Sequence, residues 1–547
     1  MTALKNKKRV AVIGAGPSGL VTLKELVEAG HEVECFETRQ SIGGLFNDGS
    51  EELQLTTSNI TTAFGSFYRD CDRERGPVIW SGSEYLDYLK DFAENFDLLR
   101  RIHFATRVVS LEQDSDGSGW ILQADPVGQD GDSPAICGEE QHFDHIAICS
   151  GANASPVVPK WKGTMEFEGR IVHSTELSGI DELAGKRVLL VGLGETGSDV
   201  SLSAAKVAQA LALSTRSGPG YIIPRLYRGR PSDLDTNRCY HSLARRFGGS
   251  RIVRLKTGIE NALLGEHDDR AVLRKANQIN RDRGLSPFHR FGTKNTSFIE
   301  AMHYHGASYK PDIDRFDRDR AVFVDGSEFQ CDIVVCCTGY RILVPFSSSW
   351  KPLSEAPPKP RGLFKRMIDP RFGASLVWIG LVRPGIGAVP PCAEMQARYF
   401  AQLVSGSIPL PSVDEMNRDV AYHARLDLEQ FPDDASRLLT LTDYLRFLDS
   451  LAGVMGCRPQ LRRTLLRDPL TGLKLLLAPL NGAQYRLVGP KAEPERARAF
   501  LRSLPTMPWP VLGYELLLLS LFELFGLNRD RWSNKGGGIL AGSTRKL

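Results

Sequence analysis

Two segments of this 547-residue chain carry the pattern Gly-x-Gly-x-x-Gly directly after a short apolar run and directly before a helical pattern. The first segment is RVAVIGAGPSGL (9–20) and the second is KRVLLVGLGETGSD (186–199). A strand, a tight glycine turn and a helix in this order predict a βαβ unit whose helix begins against the phosphates of a dinucleotide. One such loop is a weak signal, because glycines also mark ordinary turns. Two of them, each in register with its strand and helix, predict an α/β fold with two Rossmann-like dinucleotide-binding domains.

The residues that follow the two loops differ, and the difference predicts two cofactors. The strand after the first loop, HEVECFE, ends in Glu37, roughly 20 residues on, where a carboxylate bonds the ribose hydroxyls of a dinucleotide. The strand after the second loop, ALALSTRSG, ends in Arg216, which suits the 2′-phosphate of NADP. The alternative for Arg216 is a surface arginine on a solvated strand end. The sequence therefore predicts a flavin dinucleotide at the first loop, NADPH at the second, and hydride transfer between them.

Composition excludes several other classes of protein. With 42% hydrophobic and 24% charged residues the chain is globular, and a formal charge of +3 gives no case for a nucleic-acid partner. Its ten cysteines form no Cys-x-x-Cys pair, which argues against a zinc ribbon and against a disulfide reductase. His303 and His305 are too isolated to predict a metal site. The start MTALKNKK lacks an apolar leader, so a cytoplasmic location is expected.

Two similar phrases predict how the domains are connected. HIAICSGA (145–152) and DIVVCCTGY (332–340) both place a buried strand before a turn of small residues. We expect the chain to cross between domains at these points, so that the NADP domain is inserted within the FAD domain. The predicted division is a first FAD part, an NADP domain, a second FAD part and a helical C-terminal region, at 1–160, 161–330, 331–410 and 411–547.

The segment PVLGYELLLLSLFELFGL (510–527) is the most apolar part of the C-terminal region. It is nearly long enough to span a bilayer, but Glu515 and Glu523 argue against spanning, since a charge near mid-bilayer costs a few kcal/mol. The pattern instead predicts an amphipathic helix with one polar face. Peripheral contact with a membrane surface, a homo-oligomer interface and packing on the chain's own domains are three alternatives that the pattern leaves open.

Further motifs resemble those of the flavin-containing monooxygenases. FEGRIVHSTEL (167–177) resembles the family's F-x-G-x-x-x-H signature and lies between the two glycine loops, as it does in the family. CTGY (337–340) and RPGIGAVPPCAEMQAR (383–398) are similar to its later motifs, so the resemblance covers nearly the whole chain. Leu177-Ser178 departs from the residues that Baeyer–Villiger relatives have there, and Phe46 stands where the family has tryptophan.

The resemblance implies a reaction. NADPH would reduce FAD, the reduced flavin would add O₂ to give a C4a-hydroperoxide, and the distal oxygen would pass to a soft nitrogen or sulfur of a small amine or sulfide. Such a site must be dry, with NADP⁺ kept as part of its wall. A Baeyer–Villiger monooxygenase is an alternative that Leu177-Ser178 disfavours, and an uncoupled NADPH oxidase or flavin redox sensor is another.

The resemblance also implies site residues. By itself Asn59, a polar residue before an apolar run, would be interpreted as a helix cap. The resemblance places it over the flavin beside the nicotinamide, as the one candidate catalytic residue, and it gives His173 a role in connecting the domains. The predicted cofactor contacts are Gly14, Ala15, Gly16, Pro17, Ser18, Gly19, Glu37, Gly44, Leu45, Phe46, Ser58, Asn59, Gly192, Gly194, Thr196, Gly197, Ser198, Asp199, Arg216 and Gly339.

Overall fold

In a computed structural model of the chain, the first glycine loop follows the middle strand of a five-stranded parallel sheet. The structure describes residues 7–47, 53–128, 140–153, 155–216, 218, 220–247, 255, 258–259, 262–263, 273, 276–282, 285–342, 359–432, 438–506, 513 and 517. In this first sheet five strands pair in parallel. In spatial order they are Leu376–Trp378, His145–Ile148, Arg9–Ile13, Glu32–Phe36 and Ile102–His103.

A second five-stranded sheet is also wholly parallel. Its central strands are almost entirely buried, which explains their continuous apolar runs. All five strands fall, in sequence, between the fourth and fifth strands of the first sheet. The insertion of one dinucleotide unit within the other is therefore confirmed, while the four boundaries stay predictions. In spatial order the strands are Arg170–His173, Ile333–Cys336, Arg187–Val191, Ala210–Ser214 and Ser308–Lys310.

The chain passes between the two sheets at one place in both directions. Ser155–Pro156 pairs antiparallel with Tyr340–Arg341, and the backbone N–H of Val157 donates to the Gly339 carbonyl at 3.0 Å. His173 lies beside this crossing, 1% exposed, with its ring 5.1 Å from that of Tyr340. The two connections therefore run side by side, and they tie the units together at their shared edge.

Smaller sheets and pairs of strands complete the β structure. The three-stranded sheets are antiparallel, and so are three of the five strand pairs. The remaining strands are Gln54–Ser58 with Ile79–Ser81; Thr106–Gln113, Trp120–Pro126 and Gln141–Phe143; Tyr221–Ile222 with Gly292–Thr293; Leu226–Tyr227 with Arg230–Pro231; Ile313–Asp317, Arg320–Phe323 and Glu328–Gln330; and Arg383–Pro384 with Leu441–Thr442.

The helices become more frequent after the last strand of the first sheet, which confirms a helical C-terminal region. Local signals begin several of them: Ser81 and Ser412 form capping boxes with the glutamate three residues on, and Asp443 caps the helix that follows it. The described helices are Pro17–Glu28, Asn59–Thr62, Asp70–Arg75, Gly82–Asn95, Glu195–Val207, Arg238–Phe247, Gln278–Asp282, Ser297–Tyr304, Val389–Val404, Val413–Gln430, Tyr444–Val454, Leu461–Arg467, Pro469–Leu477 and Pro494–Ser503.

The apolar segment 510–527 lies outside the described residues, apart from Gly513 and Leu517. Its three alternatives therefore stay predictions. In the part of the chain that the structure describes, no helix combines the length and the apolar character needed to cross a bilayer.

A buried ion cluster joins the C-terminal region to the first unit. Arg486 is 1% exposed and donates through Nη2 to Glu25 Oε1 at 2.6 Å and to Glu394 Oε1 at 2.7 Å. Glu25 lies on the helix Pro17–Glu28, and Glu394 lies on the helix Val389–Val404. Burial alone would raise the pKa of Glu25, but the charge of Arg486, followed by that of Lys24, holds this pKa well below its usual range. The cluster is therefore ionised at neutral pH.

We expect Arg486→Met to cost about 3–5 kcal/mol of the free energy of unfolding at pH 7, because it removes the cation bound to buried Glu394 and leaves buried Glu25 with Lys24 alone. The lowered pKa of Glu25 stabilises the fold above the unfolded-state pKa of about 4.3, and that stabilisation disappears as pH falls through the folded-state pKa. The difference between variant and wild type should therefore shrink below about pH 4. Urea unfolding of the FAD-loaded protein measures both effects. Arg498→Met, on the exposed pair with Glu495, is the control. A constant difference across pH would contradict this assignment.

Candidate functional site

The first glycine loop (14–19) brings the start of a helix hard against its strand. Gly14 has φ +101°, and a Cβ there would lie 2.9 Å from the carbonyl oxygen of Cys149. A Cβ on Gly19 would lie 1.8 Å from the carbonyl oxygen of Gly14. The helix Pro17–Glu28 then begins after Gly16 with no side chain capping its first N–H groups. These amides are available to a phosphate group at the helix N-terminus.

Glu37 lies beside this loop, as the sequence predicts. Its carboxylate is 5% exposed and accepts from the backbone N–H of Ala15 at 2.6 Å and of Arg39 at 2.9 Å. Gly44 comes close to the same loop, since a Cβ on it would lie 3.2 Å from the Cα of Gly16. The structure therefore brings the first loop, Glu37 and Gly44 together at the carboxyl end of the first sheet.

Leu45 and Phe46 follow Gly44 in a short 3₁₀ turn, Gly44–Asn47. Leu45 is 44% exposed, whereas the ring of Phe46 packs edge-on against Tyr85 at 4.7 Å between centroids. Phe46 therefore packs against the helix Gly82–Asn95, which carries Tyr85, next to the first loop.

Asn59 is bonded across to another segment rather than capping its own helix. The helix N-cap is Ser58, and Asn59 is the first helical residue, so the cap interpretation is wrong. Its Oδ1 accepts from the N–H of Val78 at 3.0 Å, and its Nδ2 donates to the carbonyl of Gly76 at 2.9 Å. An asparagine amide has two N–H groups, so one remains for another acceptor. We refer to residues 58–63 as the Asn59 turn.

The inserted unit reaches the Asn59 turn through Asp233, which sequence reasoning missed. Asp233 Oδ2 accepts from the backbone N–H and the hydroxyl of Ser58, both at 2.8 Å, and from the hydroxyl of Thr61. Asp233 is 2% exposed and lies in the short turn Ser232–Asp235. No local pattern could reveal this contact, because the partners lie far apart in sequence.

The second glycine loop (192–197) repeats the geometry of the first. Gly192 has φ +99°, and its Cβ would lie 2.6 Å from the carbonyl oxygen of Cys337. A Cβ on Gly197 would lie 1.9 Å from the carbonyl oxygen of Gly192. By contrast, no atom lies within 4 Å of a Cβ built on Gly194, where the helix Glu195–Val207 begins. Open space above uncapped helix amides is what a pyrophosphate requires.

Polar side chains at the start of that helix are bonded to neighbouring segments. Asp199 accepts hydrogen bonds from Nη1 and Nη2 of Arg225, both at 2.9 Å, and from Nδ2 of Asn295 at 2.7 Å. Glu195 Oε1 accepts from the backbone N–H of Lys294 at 2.7 Å. Burial raises the pKa of Glu195, although that hydrogen bond and the charge of Arg225 oppose the shift.

The other predicted contacts of the second loop differ in exposure. Thr196 and Arg216 are exposed, Ser198 is fully buried, and Gly339 has φ +83° at the crossing between the two units. Among the residues that the structure describes, no carboxylate forms an ion pair with Arg216, which directly follows the strand Ala210–Ser214 and Thr215. Its guanidinium is therefore available to an anion.

A cleft opens beside Asn59. Tyr68, Trp80 and Phe500 line it, and Phe500 brings the C-terminal helix Pro494–Ser503 to its rim by stacking on Tyr68 at 3.5 Å. Two cations line it, and both are paired with carboxylates: Arg69 with Asp72 and Asp91, and Arg73 with Asp70. The cleft therefore presents mainly aromatic and aliphatic surface to a small molecule.

Unpartnered buried polar atoms provide a test of whether a polar ligand fits the second loop. Leaving such an atom without a hydrogen bond costs about 1–3 kcal/mol, so each calls for a partner. Five of the atoms without a partner among the described residues lie on the helix Glu195–Val207, on residues 293–294 and on Asp233. Because they surround the second loop, the residues fit a polar dinucleotide. The five atoms are Glu195 Oε2, Ser198 Oγ, Asp233 Oδ1, Thr293 Oγ1 and Lys294 Nζ.

Two alanine substitutions separate the packing role of these glycines from their ligand role. We expect Gly194→Ala to leave the melting temperature nearly unchanged, because its Cβ meets no protein atom, yet to weaken NADP⁺ binding, because the Cβ enters the open cradle. Gly197→Ala should lower both, since its Cβ would collide with a carbonyl oxygen. Differential scanning fluorimetry and titration calorimetry measure the two effects, with FAD content as the control. NADP⁺ binding to Gly194→Ala at wild-type strength would contradict the cradle.

Comparison with known proteins agrees with this geometry. Residues 7–505 match the family described as flavin-binding monooxygenase-like. The chain is 34% identical over 541 residues to a 4-hydroxybenzoate brominase (decarboxylating) of Pseudoalteromonas luteoviolacea, covering 96% of this chain and 98% of that protein. It is 31% identical over 501 residues to dimethylaniline monooxygenase [N-oxide-forming] 2 of Oryctolagus cuniculus, covering 88% and 89%.

Solved structures show the same fold at lower identity. Tmm from Pelagibacter sp. strain HTCC7211 superposes with a TM-score of 0.58 at 17% identity, over 87% of this chain and 95% of that one. Cyclohexanone monooxygenase bound to epsilon-caprolactone gives 0.58 at 17%, over 83% and 98%. The resemblance found in the motifs is confirmed, and so are FAD and NADPH as cofactors. The chain belongs to the family of FMO-like flavin-binding monooxygenases, enzymes that act with O₂ on small molecules.

Proposed function

We propose that this chain oxygenates a soft nitrogen or sulfur centre of a small amine or sulfide. One oxygen atom of O₂ goes to the substrate and the other to water, while NADPH and a proton supply two electrons and two hydrogens. The observation that carries the proposal is the contact between the two units: Asp233 of the inserted unit holds Ser58, next to Asn59 of the first. The inserted unit and the first unit therefore meet at one buried turn.

We assign the predicted contacts to the two cofactors. The amides of the first loop would hold the flavin pyrophosphate, with Glu37 on the adenosine ribose. The amides of the second loop would hold the NADP pyrophosphate, with Arg216 on the 2′-phosphate. Glu37 lies at the first loop, and Arg216, which forms no ion pair among the described residues, lies at the second. This difference supports the assignment, because Glu37 would repel the 2′-phosphate of NADP.

The Asn59 turn would exclude water from the reacting centre. Ser58, Asn59 and Thr61 are 0%, 3% and 1% exposed. FAD, when bound, supplies the activation of O₂. The remaining N–H of the Asn59 amide would donate a hydrogen bond toward that centre from a position fixed by Gly76 and Val78. No base acting on the substrate is required, because the lone pair of an amine or sulfide attacks the oxygen directly.

We place the substrate's approach in the cleft beside Asn59. Its wall is largely aromatic and aliphatic, which suits a small apolar molecule. The arginines there are each paired with a carboxylate, Arg69 with Asp72 and Arg73 with Asp70, which supports a substrate without a strong net charge.

A second candidate is supported by the extent of one match. The brominase aligns over 96% of this chain, whereas the N-oxide-forming relative aligns over 88%. Bromide is also a soft nucleophile, and the same electrons balance its oxidation: bromide, O₂, NADPH and two protons give hypobromous acid, NADP⁺ and water. Hypobromous acid would then brominate an electron-rich phenol. Both candidates share one oxygen-transfer step and differ only in the nucleophile.

Product analysis separates these functions. The FAD-loaded enzyme is reduced with NADPH without oxygen, mixed with O₂, and followed by stopped-flow absorbance with four additions: trimethylamine, methyl p-tolyl sulfide, cyclohexanone, or bromide with 4-hydroxybenzoate. Faster return of oxidised flavin with formation of N-oxide or sulfoxide supports the proposal. Brominated phenol instead establishes the second candidate, and a lactone a Baeyer–Villiger enzyme. Stoichiometric H₂O₂ under every condition overturns both proposals in favour of an oxidase or redox sensor.

We expect Asn59→Ala to keep NADPH oxidation but to convert product into H₂O₂, because the amide that faces the reacting centre and anchors residues 76–78 is lost. The ratio of product to NADPH consumed, with H₂O₂ measured by a peroxidase assay, reports this. Asn481→Ala is the matched control, since Asn481 is also buried and also bonds backbone groups, but in the C-terminal region. Unchanged coupling in Asn59→Ala would remove Asn59 from the mechanism.

Arg216→Ala should lower kcat/KM for NADPH by about 10- to 100-fold and leave kcat/KM for NADH unchanged, because only NADPH carries the 2′-phosphate. Steady-state NADPH and NADH oxidation measures the ratio. Arg318→Ala, at another exposed arginine of the inserted unit, paired with Glu168, is the control. Equal losses with both nucleotides would show that Arg216 acts on folding instead.

A further inference from the structure

Lys294 is buried without a partner between the second glycine loop and the Asn59 turn. Its backbone N–H donates to Glu195 Oε1, and the neighbouring Asn295 amide bonds both Asp199 and the carbonyl of Glu195. The segment is therefore clamped to the start of the loop helix. Lys294 is only 5% exposed, and its Nζ has no hydrogen-bond partner among the described residues. A buried ammonium in this state is costly, so the structure calls for an acceptor.

The nearest carboxylates show why Lys294 is not simply half of an ion pair. Burial lowers the pKa of Lys294, while the charges of Asp233 and then Glu195 oppose the shift. Both carboxylates are thus within electrostatic range, yet neither forms an ion pair with Nζ among the described residues. A gap separates the ammonium from them.

Asp233 supplies a fixed acceptor within electrostatic range of Lys294. Its Oδ2 is held by Ser58 and Thr61, so the carboxylate cannot rotate freely. Its Oδ1 is buried and has no hydrogen-bond partner among the described residues. The site therefore combines an unused donor on one side with an unused acceptor on the other, both beside the Asn59 turn.

A primary carboxamide has the complementary pattern, one carbonyl acceptor next to two N–H donors. We propose that Lys294 and Asp233 hold the carboxamide of the nicotinamide ring, Lys294 donating to its oxygen and Asp233 accepting from its nitrogen. This inference rests on the proposed binding of NADPH at the second loop and adds the residues that fix the ring's orientation. Lys294 is thereby a cofactor-binding residue from a segment outside either glycine loop.

A nucleotide analogue separates the two hydrogen bonds. The acetylpyridine analogue of NADP⁺ keeps the carbonyl oxygen and replaces the NH₂ by a methyl group. Titration calorimetry of oxidised, FAD-loaded enzyme with NADP⁺ and with the analogue measures binding without turnover. Wild type should bind the analogue about 10-fold more weakly, because Asp233 loses its donor.

The variants then assign each bond to its residue. Lys294→Met should lose about 10-fold or more in affinity for both nucleotides, with Lys294→Arg recovering part of the loss. Asp233→Asn can keep its bonds to Ser58 and Thr61 through the amide oxygen, and it should lose affinity for NADP⁺ but not for the analogue. Lys365→Met, which removes an equally buried lysine that has its own partners Asp419 and Ser450, should lower stability and leave both affinities unchanged.

The outcomes separate the inference from the proposed function. Equal wild-type affinity for the two nucleotides, or unchanged NADP⁺ affinity in Lys294→Met, overturns the carboxamide site while leaving NADPH binding intact. Failure of the wild-type holoenzyme to bind NADP⁺ at all overturns the proposed function itself. An Asp233→Asn loss that is the same for both nucleotides shows a purely structural role for Asp233 and contradicts its part in the site.

Discussion

The contact on which the rest of the structure depends is the one between a glycine Cα and a backbone carbonyl at each loop. A side chain on Gly19 would overlap the carbonyl oxygen of Gly14, and a side chain on Gly197 would overlap that of Gly192. Only glycine lets strand and helix approach this closely, and that approach points the free amides of the helix toward the carboxyl end of its sheet. The chain has two such helix starts, one in each unit, and the two units are joined at a paired crossing.

Buried charge connects the C-terminal region to this arrangement. Glu394 binds Arg486 through one carboxylate oxygen and accepts from the backbone N–H of Gly65 through the other, at 2.6 Å. Gly65 lies two residues after the Asn59 turn, so the ion cluster that fixes the C-terminal helices also fixes the segment that follows the candidate catalytic residue. Burying ions in this way is rarely a gain in stability over an apolar core. Its effect here is to define one position for that segment.

Residue patterns were most informative where the cause of a structure is local. The glycine spacing, the acid at Glu37 and the arginine at Arg216 could be found because a strand, a turn and a helix are contiguous in the chain. The insertion was predictable for the same reason, from two similar strand-to-glycine junctions. From its local pattern alone Asn59 would be interpreted as a cap, because its partners, Gly76 and Val78, lie on another segment. Asp233 and Lys294 carried no signal at all, since an isolated aspartate or lysine is most often a solvated surface residue.

By itself, then, the sequence determined the class of fold and the number of dinucleotide loops, and it predicted a nucleotide for each loop. These follow from backbone sterics and from charge at fixed offsets along the chain, which need no distant partner. Only the tertiary structure decided that Asp233 holds Ser58, that the buried Lys294 ammonium has no hydrogen-bond partner among the described residues, and that Arg486 links Glu25 to Glu394. Those contacts join residues remote in sequence, and burial gives them their energies, because a charge or a hydrogen-bonding group removed from water must find its partner within the fold.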